Sequence, residues 1–426
     1  MSDAPDSDAR LPASWTVRSL ASISTKPQYG WTTSASPNGE VRLVRTTDIT
    51  RGPISWSEVP YCTEVPGDLS KYKLVSGDIL VSRAGSVGFS ALLEQAPPLD
   101  AVFASYLIRL RPSSEALPRF LALFMQSPGY WAQITDMSAG VALLNINASK
   151  LSALRVPLPP LEEQHRIVAL LEEHLSRLDA VLATVTAIRE KASQFHRSLL
   201  HQAFSGELAG AGDDWRMRTL NDLVEDRSDI VDGPFGSNLK SAHYVDQGAR
   251  VIRLQNIGFG DYVPGDAFIT LEHYKSLAKH NVTEGDLLFA SLGENLPRAC
   301  LAPKFDEPAI VKADCARVRL RTDINRKFVL HATQRPEARR WAANALHGMG
   351  RPRLGLGSIR EFPVPVPTRS VQDAVVEAIE EHLSLVDGVL AGVDAAERKC
   401  DAARRSLLHA AFTGRLTEEW RETTRV

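Results

Sequence analysis

Two stretches decide how this chain is read: HRSLLHQAFSGEL, His196 to Leu208, and RRSLLHAAFTGRL, Arg404 to Leu416. They lie 208 residues apart, and the register extends outward from them without a gap. Glu172-Glu173-His174-Leu175-Ser176 falls on Glu380-Glu381-His382-Leu383-Ser384, and 21 of the 37 positions from Glu172 to Leu208 are identical. Further out, Leu43-Val44-Arg45 falls on Val251-Ile252-Arg253, and Gly77-Asp78-Ile79-Leu80 on Gly285-Asp286-Leu287-Leu288. The chain is therefore a tandem duplication. Each half has a long first part matched only in islands and a shorter second part matched closely. Trp15-Thr16-Val17-Arg18 resembles Trp215-Arg216-Met217-Arg218. The tail after Gly414 also resembles the start of a further copy, which suggests a closed, pseudo-two-fold arrangement.

The matched parts read as helices. RVPLPPLEEQ and EFPVPVPTRS are too rich in proline for a helix interior but suit an extended lead-in. Apolar residues then repeat every seven. In the first copy the seam comprises Leu171, Leu178, Val185 and Leu199 with a second row of Val181, Ile188 and Phe195. In the second copy it comprises Ile379, Val386, Val393 and Leu407 with Val389. His174 and His382 fall on the same seam. Such a pattern over four heptads predicts a coiled coil. Gly206 and Gly414 stand where a left-handed cap ends a helix. A helix of about 40 residues is about 60 Å long at 1.5 Å per residue. One copy cannot bury its seam alone, so the two are expected to pair antiparallel. Thr368-Arg369-Ser370-Val371 replaces Pro160-Leu161-Glu162-Glu163, so the second helix is free to start at a different place.

The divergent parts mix short β-type runs (VRLVRTTDI, SYLIRLRP, ARVIRLQNI, CARVRLR) with short helical pieces (RFLALFMQSPGYWAQI, FVLHATQRPEARRWAANAL). The expected fold class is α+β: two similar domains, each a small twisted sheet with short helices, joined by the two long helices. The boundaries are 1–155 and 211–360 for the globular domains and 156–210 and 361–426 for the helices.

Composition narrows the function. At 426 residues the chain is long enough for more than one core, and its 44% hydrophobic and 23% charged content is that of a soluble globular protein. No apolar run is long enough for a membrane span, and MSDAPDSDAR lacks the basic and apolar regions of a secretory signal. The four cysteines are far apart, without a CxxC, so a reducing cytoplasm is expected. Net charge is −2, which does not advertise nucleic acid and does not exclude a local basic surface. There is no P-loop, no Asn-Pro-Pro-Tyr or Asp-Pro-Pro-Tyr segment of a base-flipping methyltransferase, and no His/Cys/acid set at metal-ligand spacing. Neither a catalytic residue nor a metal ligand is nominated.

Several loops carry recognition chemistry. In the first copy the candidates for DNA contact are Tyr29, Trp31, Thr32, Thr33, Arg45, Thr47, Arg83 and Ser86. In the second they are Phe235, Ser237, Asn238, Lys240, Arg253, Gln255, Asn256, Asn295, Arg351 and Arg353. Arginine suits guanine O6/N7, and Asn or Gln suits adenine N6/N7; a basic loop suits phosphates. Each loop also has the plainer reading of a turn with solvated polar residues. Arg45 and Arg253 sit at strand-like positions where a structural ion pair is equally natural.

The Pro-Leu-Pro-Pro-Leu-x-Glu-Gln-x-x-Ile block from Pro157 to Ile167, with the heptads that end in Ser-Leu-Leu-x-x-Ala-Phe-x-Gly-x-Leu, resembles the specificity subunit of Type I restriction-modification systems. Gln28-Tyr29-Gly30, Asp232-Gly233-Pro234-Phe235-Gly236-Ser237 and Gly77-Asp78-Ile79-Leu80 agree with that resemblance, which spans essentially the whole chain. It implies that the divergent parts are target-recognition domains, each reading one half of a bipartite double-stranded DNA sequence. It implies that the helices act as a ruler and as the docking site for two methyltransferase subunits, which carry S-adenosylmethionine. Two restriction subunits, using ATP and Mg, would complete the complex. The chain itself would bind no cofactor and catalyse nothing. A protein-protein scaffold built on a duplicated coiled coil is the competing reading, and a single-chain enzyme a third.

Overall fold

The computed structural model describes residues 11–50, 52–138, 145–206, 215–293, 295–346 and 352–424. They form two compact units, 1–185 with 394–426, and 186–393. The unit boundaries therefore cut both long helices near their middles, instead of separating helices from globular domains. Each unit holds one α+β domain and half of each helix.

In the first unit a four-stranded antiparallel sheet runs in the order Gln28–Tyr29, Leu107–Leu110, Ile79–Ser82, Ser90–Leu92. A second sheet runs Ala35–Ser36, Tyr61–Cys62, Arg42–Val44, Ala101–Phe103, its last pair parallel. The second unit repeats both: Ile230–Asp232, Cys315–Val318, Leu287–Ala290, Arg298–Leu301, and then Tyr244–Val245, Phe268–Ile269, Ala249–Ile252, Ala309–Val311, with Asn281–Val282 added at the edge. Even the register repeats: Leu43 faces Val102, and Val251 faces Ile310. The proline-rich lead-ins are strands, Arg155–Leu158 against Thr16–Ser19 and Pro363–Val366 against Arg216–Thr219. The helical pieces are each broken in two by a proline that opens the second helix. Pro118–Phe124 is followed by Pro128–Ser138, and Arg326–Gln334 by Pro336–Ala345.

The sequence islands shared by the two copies have structural causes. Asp78 is fully buried and takes Arg111 Nε at 2.6 Å, while its other oxygen accepts from the Val75 amide at 3.0 Å. Asp286 repeats this with Arg319 Nε at 2.9 Å and the Thr283 amide at 2.8 Å. A buried carboxylate needs both kinds of partner, so Asp, its turn and its arginine persist together. A Cβ on Gly30 would lie 2.2 Å from the Phe103 carbonyl oxygen, and one on Gly233 2.0 Å from the Lys312 carbonyl carbon. No side chain fits at either place.

The long helices span Leu161–Phe204 and Arg369–Phe412, 44 residues each. They begin at equivalent positions, so the altered residues at Thr368 to Val371 do not move the start. Gly206 (φ +86°) and Gly414 (φ +81°) follow them in the left-handed conformation. Within the first unit, Ile167, Leu171 and Leu175 share a core with Leu408, Ala411 and Phe412, and Phe412 packs on Phe120 and Phe124 at ring distances of 5.2 and 5.5 Å. Within the second, Leu199, Leu200 and Ala203 share a core with Val375, Val376 and Ile379. The beginning of each helix thus meets the end of the other, the expected antiparallel pairing.

The seam is narrower than the sequence suggests. Leu171, Val185, Leu199, Ile379 and Val393 are buried. Leu178, Ile188, Val386 and Leu407 are half-buried. Val181, Phe195 and Val389 are 43%, 43% and 55% exposed. The residues left open all belong to the second row, three residues on from the first. The four cysteines are free and buried. Among the described residues no helix is long and apolar enough to cross a membrane, and no group of three or more His, Cys, Asp or Glu is placed to hold a metal ion.

Candidate nucleic-acid interface

In both units the loop after the central strand of the first sheet meets the segment before the last small helix. Ala84 bridges to Asn145 in the first unit, and Leu292 to Arg353 in the second. Tyr29, Arg83 and Ser86 collect at the first bridge, and Asn295 and Arg353 at the second.

In the first unit the Arg83 guanidinium lies 4.8 Å from the centre of the Tyr29 ring, and the Tyr29 hydroxyl accepts from the Ala148 amide at 2.8 Å. The Arg83 amide donates to the Tyr106 carbonyl at 3.0 Å, and Tyr106 is 62% exposed. Ser86 is exposed on the same loop. Strand ends therefore bring two tyrosines and an arginine to one edge. Arg83 Nε is buried without a partner among the described residues, so the group is held largely by stacking. Tyr106 escaped the sequence reading, although it opens the quoted SYLIRLRP run; nothing in a single sequence distinguishes it from a core tyrosine.

Other first-unit candidates serve the loops themselves. The Trp31 indole donates to the Glu64 carbonyl at 2.9 Å, and its ring packs on Tyr72 at 5.5 Å. Thr33 Oγ1 accepts from the Glu64 amide at 3.0 Å. Thr32 and Thr47 are exposed. Arg45 is held by Asp48 at 2.8 and 3.1 Å, and Asp48 also accepts from the Arg45 amide. That hydrogen bond to a carboxylate raises the pKa of an already permanent cation. The structural ion pair is the reading that holds here, and Arg45 is half-exposed.

In the second unit Arg353 pairs with Asp314 at 2.8 Å, while the Leu354 amide donates to the Ser291 carbonyl at 2.8 Å. Asn295 is exposed on this loop with φ +56°, a backbone that asparagine tolerates better than most residues. Arg298, which the sequence reading missed, lies beneath: its Nη2 donates to the Leu254 carbonyl at 3.2 Å, and its Nε is buried with no partner among the described residues. Phe235 is 48% exposed, and Lys240 and Asn238 are exposed beside it. Asn238 offers its carbonyl to His273 Nε2 at 2.8 Å. Gln255 is exposed.

One candidate, Asn256, is turned inward. Asn256 is 1% exposed; its Oδ1 accepts from the Arg253 amide at 2.8 Å and its Nδ2 donates to the Val263 carbonyl at 2.9 Å. Both ends of the amide are used to close a turn, so it cannot read a base. Arg253 lies 3.4 Å from Asp266, a side chain almost fully in solvent. Arg351 and the side chain of Ser237 lie outside the described residues.

Comparison with known proteins agrees with this architecture. Residues 12–187 match the Type I restriction modification DNA specificity domain. Over 97% of its length the chain is 24% identical to the EcoKI specificity subunit of Escherichia coli K12, covering 92% of that protein. It is also 24% identical to the StySPI specificity subunit of Salmonella potsdam, over 89% of this chain and 83% of that one. A chain solved in a study of complex assembly and conformational transition of the type I R-M system superposes with a TM-score of 0.72 at 19% identity, covering 95% of this chain and 99% of that one. With both copies built on the same sheets and carrying the same long helix, the chain is similar along nearly its whole length to Type I restriction-modification specificity subunits.

Proposed function

We propose that each unit reads one half of a split double-stranded DNA sequence through the edge formed by its bridged loops. The chain is the sequence-recognition subunit of a Type I restriction-modification complex and works without catalysis of its own; DNA and the other subunits of the system are its partners. The observation that carries this reading is the pairing of a shared scaffold with different loops. Strand order, buried Asp–Arg pairs and helix starts repeat in the two units, whereas Tyr29–Arg83 in one has Arg353–Asp314 with Asn295 in the other. Two readers with one frame and different surfaces suit two different half-sites.

In this reading the half-buried Arg83 and the exposed Tyr29, Ser86 and Tyr106, with Phe235, Asn238, Lys240, Asn295 and Arg353 in the second unit, face DNA. Arg353 exchanges Asp314 for base or phosphate. The long helices fix the spacing, with half-sites about one helical turn apart, roughly 34 Å. Two methyltransferase subunits, which hold S-adenosylmethionine, dock on the helices, and two nuclease-motor subunits using ATP and Mg complete the restriction complex. The near-neutral charge fits a division of labour in which partners supply much of the phosphate contact.

Base-resolution mapping of N6-methyladenine in cells with and without the gene tests this. One split motif should lose methylation when the gene is removed. An unchanged methylation pattern with the methyltransferase present overturns the reading. Duplex binding without any sequence preference would favour the scaffold instead.

A further inference from the structure

The two units differ in the loop that crosses from one sheet to the other. Its ends are fixed alike: the Gly30 and Gly233 amides donate to the Leu107 and Cys315 carbonyls, and Ala35 faces Cys62 as Tyr244 faces Ile269. Ala35 lies five residues after Gly30, whereas Tyr244 lies eleven after Gly233, so the second loop is six residues longer. In the first unit the Trp31 indole closes the short crossing on the Glu64 carbonyl. In the second the extra residues form two turns, Gly236–Asn238 and Ser241–His243, beside the helix Leu271–Ser276.

These turns and the helix border a polar pocket of about 680 Å³. His273 Nε2 donates to the Asn238 carbonyl at 2.8 Å, and the His243 and His273 rings meet edge to face at 4.4 Å, which ties the loop to the helix. His243 Nδ1 accepts from the Lys240 amide at 3.1 Å. A neutral His243 ring therefore carries its proton on Nε2, from which it can donate. Asn238, Thr270 and Lys279 line the same pocket. Thr270 Oγ1 accepts from the His273 amide at 3.2 Å, leaving its hydroxyl proton to donate. Donors thus come from the loop, from the start of the helix and from the segment after it. A metal ion needs ring lone pairs, and that of His243 is engaged; the set suits an anion instead.

The loop also leaves from the candidate reading edge. Gly233 is bonded to Cys315, the neighbour of Asp314, which holds Arg353. Phe235, Asn238 and Lys240 on the same loop are exposed. We propose that this pocket takes one backbone phosphate of the DNA beside the second half-site. Lysine, threonine and asparagine are side chains that contact phosphates, and such contacts set register and orientation without reading sequence. The inference rests on the proposed function and adds an asymmetry to it: the second unit grips the backbone where the first has its short loop. Glu272 is the one carboxylate in the lining and is exposed. It opposes an anion, so removing it tests the sign of the bound charge.

The test uses the full chain with its methyltransferase subunit and a duplex carrying the split motif. Lys279→Gln should weaken binding to this duplex and to a scrambled one alike, about tenfold, the size of one charge-assisted hydrogen bond. It should also lower the slope of log K against log salt concentration by about 1. His243→Asn keeps an acceptor for the Lys240 amide and removes the Nε2 donor, and should weaken binding too; Glu272→Gln should strengthen it. Neutral methylphosphonates placed singly along the duplex should reveal one position, beside the second half-site, that weakens the unaltered complex but not the Lys279→Gln complex. An unchanged salt slope in Lys279→Gln, or no such position, overturns the proposal. So does a loss of inorganic phosphate binding or of methyltransferase binding with duplex affinity unchanged, since the anion would then be a free phosphate or a protein carboxylate. If the unaltered complex prefers no split motif, the proposed function fails, and the salt slope on a random duplex still decides the phosphate contact.

Discussion

Trp15 and Trp215 open the two copies at the same place, and only one of them is tied. The Trp15 indole donates to Glu163 Oε2 at 2.9 Å. The other oxygen of Glu163 accepts from Thr417 Oγ1 at 2.7 Å and from Arg421, which also reaches Thr417 at 2.9 Å. Glu163, Thr417 and Trp15 are 2%, 1% and 6% exposed. In the second copy Val371 stands in place of Glu163, and the Trp215 indole nitrogen is buried with no partner among the described residues. Next door two bonds repeat. Gln164 Oε1 accepts from the Leu117 amide at 2.9 Å, and Gln372 Oε1 from the Asn325 amide at 2.9 Å; each amide nitrogen donates to the proline carbonyl five residues before it, at 2.9 and 3.0 Å. Backbone groups that must be satisfied in both copies keep their partner. Glu163 instead fastens one particular neighbour, the segment after Gly414.

The largest test of the two-unit comparison is an exchange. Replacing residues 213–355 with those of a relative should change one half of the methylated motif completely and leave the other half intact. A change in both halves would show that the readers are not independent.

Next in size is the buried network. Glu163→Ala leaves Arg421, 12% exposed, without its carboxylate, and should cost about 3–5 kcal/mol as an uncompensated buried charge. Replacing both partners together should cost much less, since the loss lies mainly in the orphaned charge. Equilibrium denaturation of the single and double variants measures this.

A third test uses His331, which has Leu123 as its counterpart. Burial drives its pKa down to about 4 from 6.5, opposed by Glu380 and helped by His196. The unfolded chain takes up a proton near pH 6.5 while the folded one does not. Stability is therefore full above about pH 6.5 and falls as pH drops towards 4, by up to about 3 kcal/mol. His331→Leu should flatten that slope, read as thermal melts between about pH 4.5 and 7.5, from just above the folded pKa to about one unit above the ordinary histidine value.

Arg83→Ala should weaken binding to the cognate duplex by about 1–3 kcal/mol and relax one half-site only. Arg45→Ala, already engaged by Asp48, should act mainly on stability. Smallest is Trp215→Phe, expected to cost less than about 1 kcal/mol because no hydrogen bond is lost; Trp15→Phe, which strands Glu163 Oε2, should cost more.

Much of the fold was legible because repetition is itself a structural statement. Two copies of one heptad pattern imply a pair, and proline before them implies an extended lead-in. The site was legible only in outline. Arg83 and Tyr29 were visible as types, but their stacking depends on strands 54 residues apart in sequence. Asn256 had the right chemistry for adenine and the wrong burial. Val181, Phe195 and Val389 fitted the heptad and are exposed, because a heptad records apolar faces and not how many partners cover them. Arg298 and Tyr106 gave no local signal at all.

Sequence alone determined that this chain is built twice, that its long helices pair, and which specificity subunits it resembles, since duplication, heptads and the proline-led block are patterns along the chain. Tertiary structure decided which side chains are free to recognise anything. Burial depends on how the whole chain packs: it turned Asn256 inward to close its own turn and brought Arg83 over Tyr29 from 54 residues away.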